Sequence, residues 1–324
     1  MPKISVIWKT LTITKSPYKV LLMKLDKSRK RLTFRSGLTC NLTWPQFRVF
    51  RDAYPLLLKY SVTQMDDDLF KVKDDKKSDV VCTSHLLPVI LDLMGDFVIN
   101  QVKEDTFCAT NGKFTVVGSS GMLICIQELK TGEYESDCQD KVVLDVGGFE
   151  GESAAYFWSK KAKKIIIYEP VAAHIEWIKK NISLNSINAE IHEAGIGDKK
   201  GTKIIYYTET DPGFGFHSSG TKSMEINIRN VSEVIMESGA NLAKFDCEGA
   251  EESLVKVPDE ILRQIEYYII EVHSLKIRDD VLAKFQEAGF TLEKETPKRS
   301  DFSVLAFRRQ ELLKRSFNAQ KNRF

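Results

Sequence analysis

The stretch KVVLDVGGFEGESAAYFW, Lys141 to Trp158, sets an aspartate and three glycines directly after an apolar run and directly before a helix-like segment. Val142 to Val146 reads as a strand, and Gly147 to Gly151 as the loop that turns it into a helix. Glycine there lets the backbone turn tightly and approach a ligand closely. The bland alternative is a loop that only joins strand to helix. A second feature weighs against it. The next β-like run, KKIIIYEP, ends in Glu169, 24 residues after Asp145. An acid at the tip of the second strand of an α/β sheet can accept hydrogen bonds from ribose hydroxyls. Loop and acid together predict an adenosine-containing ligand.

Around this stretch, β and α patterns alternate. HIEWIKKNISLN is helical, AEIHEAGIG and GTKIIYYTE are strand-like, VSEVIMESG is a helix stopped by Gly239, and NLAKFDCEG is a strand. EESLVKVPDEILRQ is helical with a break near Pro258, EYYIIEVHS is a strand, and DDVLAKFQEAG is a helix. FTLEKET and FSVLAFRR close the series as a β-hairpin. Alternation of this kind predicts a doubly wound, mostly parallel sheet, with the final hairpin adding a reversed strand. KFTVVGSSGMLICIQEL is expected to form two strands around a Gly-Ser turn.

The first 110 residues have another texture and read as an additional α+β region, with a substrate or oligomer role. TWPQFRVFRDAYPLLLKY is expected to be a helix capped by Thr43. The charged run from Asp66 to Asp79 is expected to be a solvated loop. HLLPVILDLMGDFVI, His85 to Ile99, is too short to span roughly 30 Å of hydrocarbon and reads as a buried helix. Residues 111–310 would form the ligand-binding domain, and 311–324 a basic tail, with Arg308 and Arg309 counted in the same basic stretch.

Composition sets the outer bounds. The 324 residues are 43% hydrophobic, enough for a sizeable core, and 47 basic residues against 45 acidic give a net charge of +2. That balance argues for neither nucleic acid nor membrane as a partner. Six cysteines are scattered with no CxxC pair, so they read as reduced thiols in a cytoplasmic protein. The N-terminus lacks the apolar core of a secretory signal.

The loop chemistry narrows the ligand. A dinucleotide site calls for GxGxxG, with the pyrophosphate on the helix N-terminus. Here Asp145, Glu150 and Glu152 flank the glycines, a poor setting for pyrophosphate and a good one for an amino group beside a sulfonium. S-Adenosylmethionine fits that description. Asp246 and Glu248 would end the fourth strand and Glu271 and His273 the fifth. Carboxylates and imidazole there can act as general bases toward a hydroxyl. Asp246, Glu248 and His273 are also an alternative ligand set for a divalent metal ion. His85, His174 and His192 have no such placement and read as structural. Thr210 to Ser223, rich in glycine, serine and phenylalanine, reads as a substrate loop.

The segments VVLDVGGFEG, IIIYEP, IKKNISLN, AGIGDKKGT, LAKFDCEGAEESLV and IIEVH occur in the order and spacing that resemble FkbM-type methyltransferases, class I S-adenosylmethionine-dependent enzymes with a seven-stranded sheet. The resemblance covers Lys141 to His273 and extends more weakly to Arg309. It implies that Asp145, Gly147 and Gly151 hold the methionine end of the cofactor, that Glu169 binds the ribose and Ile196 touches adenine; Gly148 and Asp246 are counted with the cofactor-binding residues. The residue types at the strand ends make Asp246, Glu248 and His273 the expected catalytic group, with His273 the base because an unperturbed imidazole titrates near about 6.5. Gly148 and Phe149 depart from the more usual Ala-Asn of the family. The implied reaction is methylation of a hydroxyl on a small molecule, sugar or lipid. An RNA methyltransferase and a non-catalytic adenosine-ligand binding module are the alternatives.

Overall fold

The computed structural model describes residues 13–26, 28, 30–66, 68–75, 78–208, 211–215, 222–299 and 302–310. The chain divides into two compact units, Met1–Gln127 and Glu128–Phe324. No helix among the described residues is long and apolar enough to cross a membrane.

The first unit opens with α1 (Pro17–Asp26), the hairpin β1 (Lys30–Thr33) and β2 (Thr39–Leu42), and α2 (Trp44–Leu57). The Thr43 N–H is capped by the Gln46 side chain at 2.8 Å, so the start of α2 lies where the sequence placed it. Six strands follow in chain order across one sheet: β3 (Ser61–Asp66), β4 (Leu69–Lys73), β5 (Asp79–Thr83), β6 (Val98–Lys103), β7 (Thr106–Thr110) and β8 (Thr115–Gly118). Only β5 and β6 run parallel, and α3 (Leu87–Leu93) makes their crossover.

Two expectations change here. The charged run after Asp66 is not a loop. Within it, Leu69–Lys73 is a strand whose Phe70 and Val72 are fully buried while its lysines point outward. Alternation, not net polarity, decided the outcome. GMLICIQEL is not a second strand but part of α4 (Ser120–Lys130). Met122, Leu123, Ile126 and Leu129 are buried at helical spacing. Because β8 completes the first unit's sheet, the division falls at 127/128 rather than at 110/111.

The second unit carries the alternating pattern. Its elements are β9 (Val142–Val146), α5 (Glu152–Ser159), β10 (Lys164–Tyr168), α6 (Ala172–Asn185), β11 (Ala189–His192), β12 (Gly195–Gly197), β13 (Gly201–Thr208), β14 (Asp211–Gly215) and β15 (Lys222–Asn230). Then come α7 (Val231–Ser238), β16 (Leu242–Phe245), a 3₁₀ turn (Ala250–Lys256), α8 (Asp259–Leu262), β17 (Tyr267–Val272), α9 (Leu275–Glu287), β18 (Phe290–Arg299) and β19 (Phe302–Arg309). The main sheet has the order β11-β10-β9-β16-β17-β19-β18. Its first five strands are parallel, and β19 runs antiparallel to both its neighbours, β17 and β18, so the sheet is mixed. The inner strands are mostly apolar, as strands covered on both faces are, and every residue of β16 and β17 is buried, Lys244 and Glu271 included. β12 leaves this sheet and joins β15, β13 and β14 in a smaller one.

The chain leaves β9 toward β10 and β11 on one side and returns to β16 and β17 on the other. A doubly wound sheet opens a crevice at the carboxyl ends of the strands at such a reversal. The tips of β9 and β16 flank it. Arg308 and Arg309, counted with the basic tail, belong instead to β19, where Arg308 pairs with Glu293 and lies over the Tyr267 ring. Residues 311–324 lie outside the described residues, as do 216–221 of the expected substrate loop; Asp211–Gly215 of that loop is strand β14.

Candidate active site

The glycine loop is shaped first by its own protein neighbours. Gly147 has φ +81°, and a Cβ there would lie 1.7 Å from the Asp246 carbonyl oxygen. The tip of β9 thus presses against the end of β16 with no room for any side chain. At Gly148 a Cβ would stand 2.4 Å from Ile167 Cγ2. That explains the departure from alanine at this position: a branched residue on β10 fills the space an alanine methyl would need. Gly151, at φ +89°, precedes α5 and packs on Ile178. The close approach expected toward a ligand is therefore, at Gly147 and Gly148, a close approach to neighbouring strands.

Beneath the loop lies a buried charge group. Asp145 is fully buried; its Oδ2 accepts from Ser153 Oγ at 2.6 Å and its Oδ1 lies 3.3 Å from Lys244 Nζ without the alignment of a hydrogen bond. Lys244 Nζ donates to the Gly147 carbonyl at 2.5 Å and stands 3.6 Å from Asp246 Oδ2. Glu152, in the first turn of α5, is buried with Oε2 lacking a hydrogen bond. Burial pushes its carboxyl up to about 8, against the pull of Lys244 and with the help of Glu150 and Asp145. Burial likewise raises Asp145, with Lys244 and Ser153 opposing.

Glu169 sits at the tip of β10, buried, with both oxygens engaged. Oε2 accepts from Phe149 N–H at 3.0 Å; Oε1 accepts from Val171 N–H at 3.0 Å and lies 3.0 Å from His174 Nδ1. A carboxylate offers about four lone-pair directions, so roughly one remains for a ligand hydroxyl. Phe149 is held at φ +43° by this contact and packs edge-on against His174, centroids 4.6 Å apart. His174 is thus the orienting neighbour of Glu169, a role its sequence position alone did not reveal. Ile196 does not line the crevice in the way expected. It is 1% exposed on β12 and packs in the core with Val146, Ile166 and Tyr168.

At the tips of β16 and β17, acids gather round one imidazole. His273 Nε2 lies 3.6 Å from Glu248 Oε2, 3.8 Å from Asp246 Oδ1 and 3.9 Å from Glu271 Oε1, and its Nδ1 lies 3.2 Å from Glu251 Oε1. Burial alone would lower the His273 pKa; Glu251, Asp246 and Glu248 override it and raise it to about 10. An imidazole so raised is displaced from the ordinary value near 6.5 on which its expected role as the base rested.

Two residues escaped the sequence reading. Glu251, fully buried, accepts from Cys247 N–H at 2.7 Å and Gly249 N–H at 2.8 Å, which fixes the DCEG turn. Tyr134 places its hydroxyl 3.2 Å from Asp246 Oδ2 and 3.0 Å from Glu271 Oε2. Burial and these two carboxylates raise its pKa well above the usual 10, so it stays a neutral donor. Glu251 belongs to the EGAE run and could have been flagged from it; nothing local marks Tyr134, more than 100 residues from its partners.

An α/β sheet with a glycine loop, an acid after the second strand and an acidic pocket at the switch point defines a Rossmann-like nucleotide-cofactor enzyme. Residues 145–292 match the family model described as methyltransferase FkbM domain. Over that span the chain is similar to the FkbM methyltransferases, and it is an S-adenosylmethionine-dependent methyltransferase. No curated protein matches the chain. Among solved structures, a candidate RNA methyltransferase from Pyrococcus horikoshii is 14% identical, covering 59% of this chain and 86% of its own, with a TM-score of 0.37. A candidate tRNA (m1A22) methyltransferase from Streptococcus pneumoniae, in complex with S-adenosyl-L-methionine, is 13% identical over 56% and 72%, TM-score 0.37. The Methanococcus jannaschii fibrillarin pre-rRNA processing protein is 8% identical over 78% and 98%, TM-score 0.39. Likeness at this level carries no inference about substrate.

Proposed function

We propose that the chain methylates a hydroxyl oxygen of a small molecule, sugar or lipid, and that Asp145, Gly147, Gly148, Gly151, Glu169 and Asp246 form its cofactor crevice. The residues fit the cofactor. The buried Asp145 and Glu152 each keep an oxygen without a hydrogen bond, beside the loop. Such carboxyls, their pKa raised by burial in the cofactor-free fold, would ionise beside a ligand ammonium or sulfonium, and Glu169 retains acceptor capacity for a ribose hydroxyl. S-Adenosylmethionine supplies an electrophilic methyl on its sulfonium.

The observation that carries the choice of oxygen is the acid cluster at the end of β16 and β17. The acceptor oxygen bonds to the methyl carbon as the carbon–sulfur bond breaks, and the electron pair stays on sulfur. The hydroxyl proton must leave, and a carboxylate within reach can take it. Asp246 and Glu248, the most exposed acids of the cluster at 26% and 48%, serve as that acceptor group. His273, 3.6 to 3.8 Å from both of them, positions the carboxylates rather than removing the proton.

The test is formation of S-adenosylhomocysteine with a panel of hydroxylated small molecules, sugars and lipids, run beside total RNA. Turnover with a hydroxylated compound, and a methyl ether in the product, is the expected result. Turnover with RNA alone would overturn the reading.

A further inference from the structure

We propose that Asp246, Glu271 and His273 form a divalent-cation site at the carboxyl ends of β16 and β17. They are the one group of three His, Cys, Asp or Glu side chains among the described residues whose donor atoms all lie within 4.8 Å of one another. His273 Nε2 is 3.8 Å from Asp246 Oδ1 and 3.9 Å from Glu271 Oε1. Two donors at that separation, each about 2.2 Å from an ion, subtend roughly 120°, an angle open enough for tetrahedral or five-coordinate geometry. One nitrogen and two carboxylate oxygens suit Mn²⁺ or Zn²⁺.

The surroundings of the three groups point the same way. Tyr134 Oη sits against Asp246 Oδ2 and Glu271 Oε2, the oxygens that do not face the imidazole Nε2. Glu251 Oε1 sits against His273 Nδ1, the nitrogen on the far side of the ring. Tyr134 thus holds one oxygen of each carboxylate, the other oxygen of each comes within 3.9 Å of His273 Nε2, and Glu251 lies 3.2 Å behind the ring without the alignment of a hydrogen bond. Carboxylate–histidine–metal arrangements are oriented in this manner. His273 is nine-tenths buried, and at 3.6 to 3.9 Å from three carboxylate oxygens no hydrogen bond closes at its Nε2. Four carboxylates surround the ring, and Lys244, 3.6 Å from Asp246 Oδ2, is the nearby ammonium. Glu248 falls outside the triad. It is half exposed, on backbone at φ +54°, and so stands at the mouth of the cluster.

The use of the ion rests on the methyl-transfer reading; its binding does not. An ion there would orient the acceptor hydroxyl and make it more acidic, leaving Glu248 to take the proton.

The experiment is titration of chelator-treated full-length protein with Mn²⁺ and with Zn²⁺, by calorimetry and by loss of the free Mn²⁺ electron paramagnetic resonance signal. Saturation at one ion per chain is expected. Glu271→Gln and His273→Gln should weaken binding by at least about 100-fold, and Tyr134→Phe by about 10- to 100-fold. Glu248→Gln should change it less than about threefold. S-Adenosylhomocysteine binding, measured on every variant, reports that the fold persists. No saturable binding of either ion at millimolar concentration, or binding that survives Glu271→Gln, overturns the site. If S-adenosylhomocysteine still binds in that case, the methyltransferase reading stands; if the ion binds and S-adenosylhomocysteine does not, the failure lies in the cofactor reading.

Discussion

Glu152 shows how a single buried group ties stability to pH. Its carboxyl rises from an ordinary 4.5 to about 8 because burial disfavours the charge. The folded state therefore holds a proton that the unfolded state releases. Stability from this group is complete below about 4.5 and falls as pH rises through about 8, by at most about 1.4 kcal/mol per unit. Thermal melts of cofactor-free protein should show wild type losing stability from pH 5 to 8 faster than Glu152→Gln. Parallel pH profiles would remove Glu152 as the titrating group. Glu169 is tested through affinity. Glu169→Ala should weaken S-adenosylmethionine by about 1.5–3 kcal/mol, the scale of a hydrogen bond to a charged group. His174→Ala should weaken it less, because the carboxylate keeps its two backbone donors. Calorimetry showing unchanged affinity in folded Glu169→Ala would take Glu169 out of the crevice.

At the scale of elements, the loop after β9 is set by β10 and β16. Gly148→Ala meets the γ2 methyl of Ile167, a side chain, whereas Gly147→Ala meets the backbone carbonyl of Asp246. The first clash can be relieved and the second cannot. Overpacking of this kind costs about 1–3 kcal/mol. Ile167→Leu removes the γ2 methyl and should restore part of the stability of Gly148→Ala in denaturant unfolding, while giving nothing back to Gly147→Ala. No recovery in the first double variant would mean that the loop is constrained by something other than Ile167.

The two units set the scale of the whole molecule. A chain beginning at Ser119 keeps all of α4 and every strand of the seven- and four-stranded sheets. A chain beginning at Asn111 also keeps β8 but strips it of β7, its only sheet neighbour among the described residues. The Ser119 chain should unfold cooperatively and bind S-adenosylhomocysteine with the affinity of the full chain. The Asn111 chain should be the more prone to associate, since β8 would be an unpaired edge. A Ser119 chain that folds without binding S-adenosylhomocysteine would assign part of the cofactor crevice to the first unit.

The alternating βα pattern, the stop of α7 at Gly239, the break at Pro258 and the closing hairpin were legible because each is a local signal of period or turn chemistry. So were Asp145, Glu169, Asp246 and His273, which fall at strand ends once the strands are found. What the sequence did not decide depends on neighbours distant in the chain. The strand at Leu69–Lys73 was hidden by its charges, and α4 by the glycine and serines before it. Gly147 and Gly148 answer to Asp246 and Ile167, Ile196 belongs to the core, and Tyr134 joins Asp246 and Glu271 across more than 100 residues. Above all, the pKa of His273 is moved by Glu251, Asp246 and Glu248, which the turn after β16 and the pairing of β16 with β17 bring to it: a residue's identity fixes its intrinsic pKa, but burial and the field of its neighbours shift it.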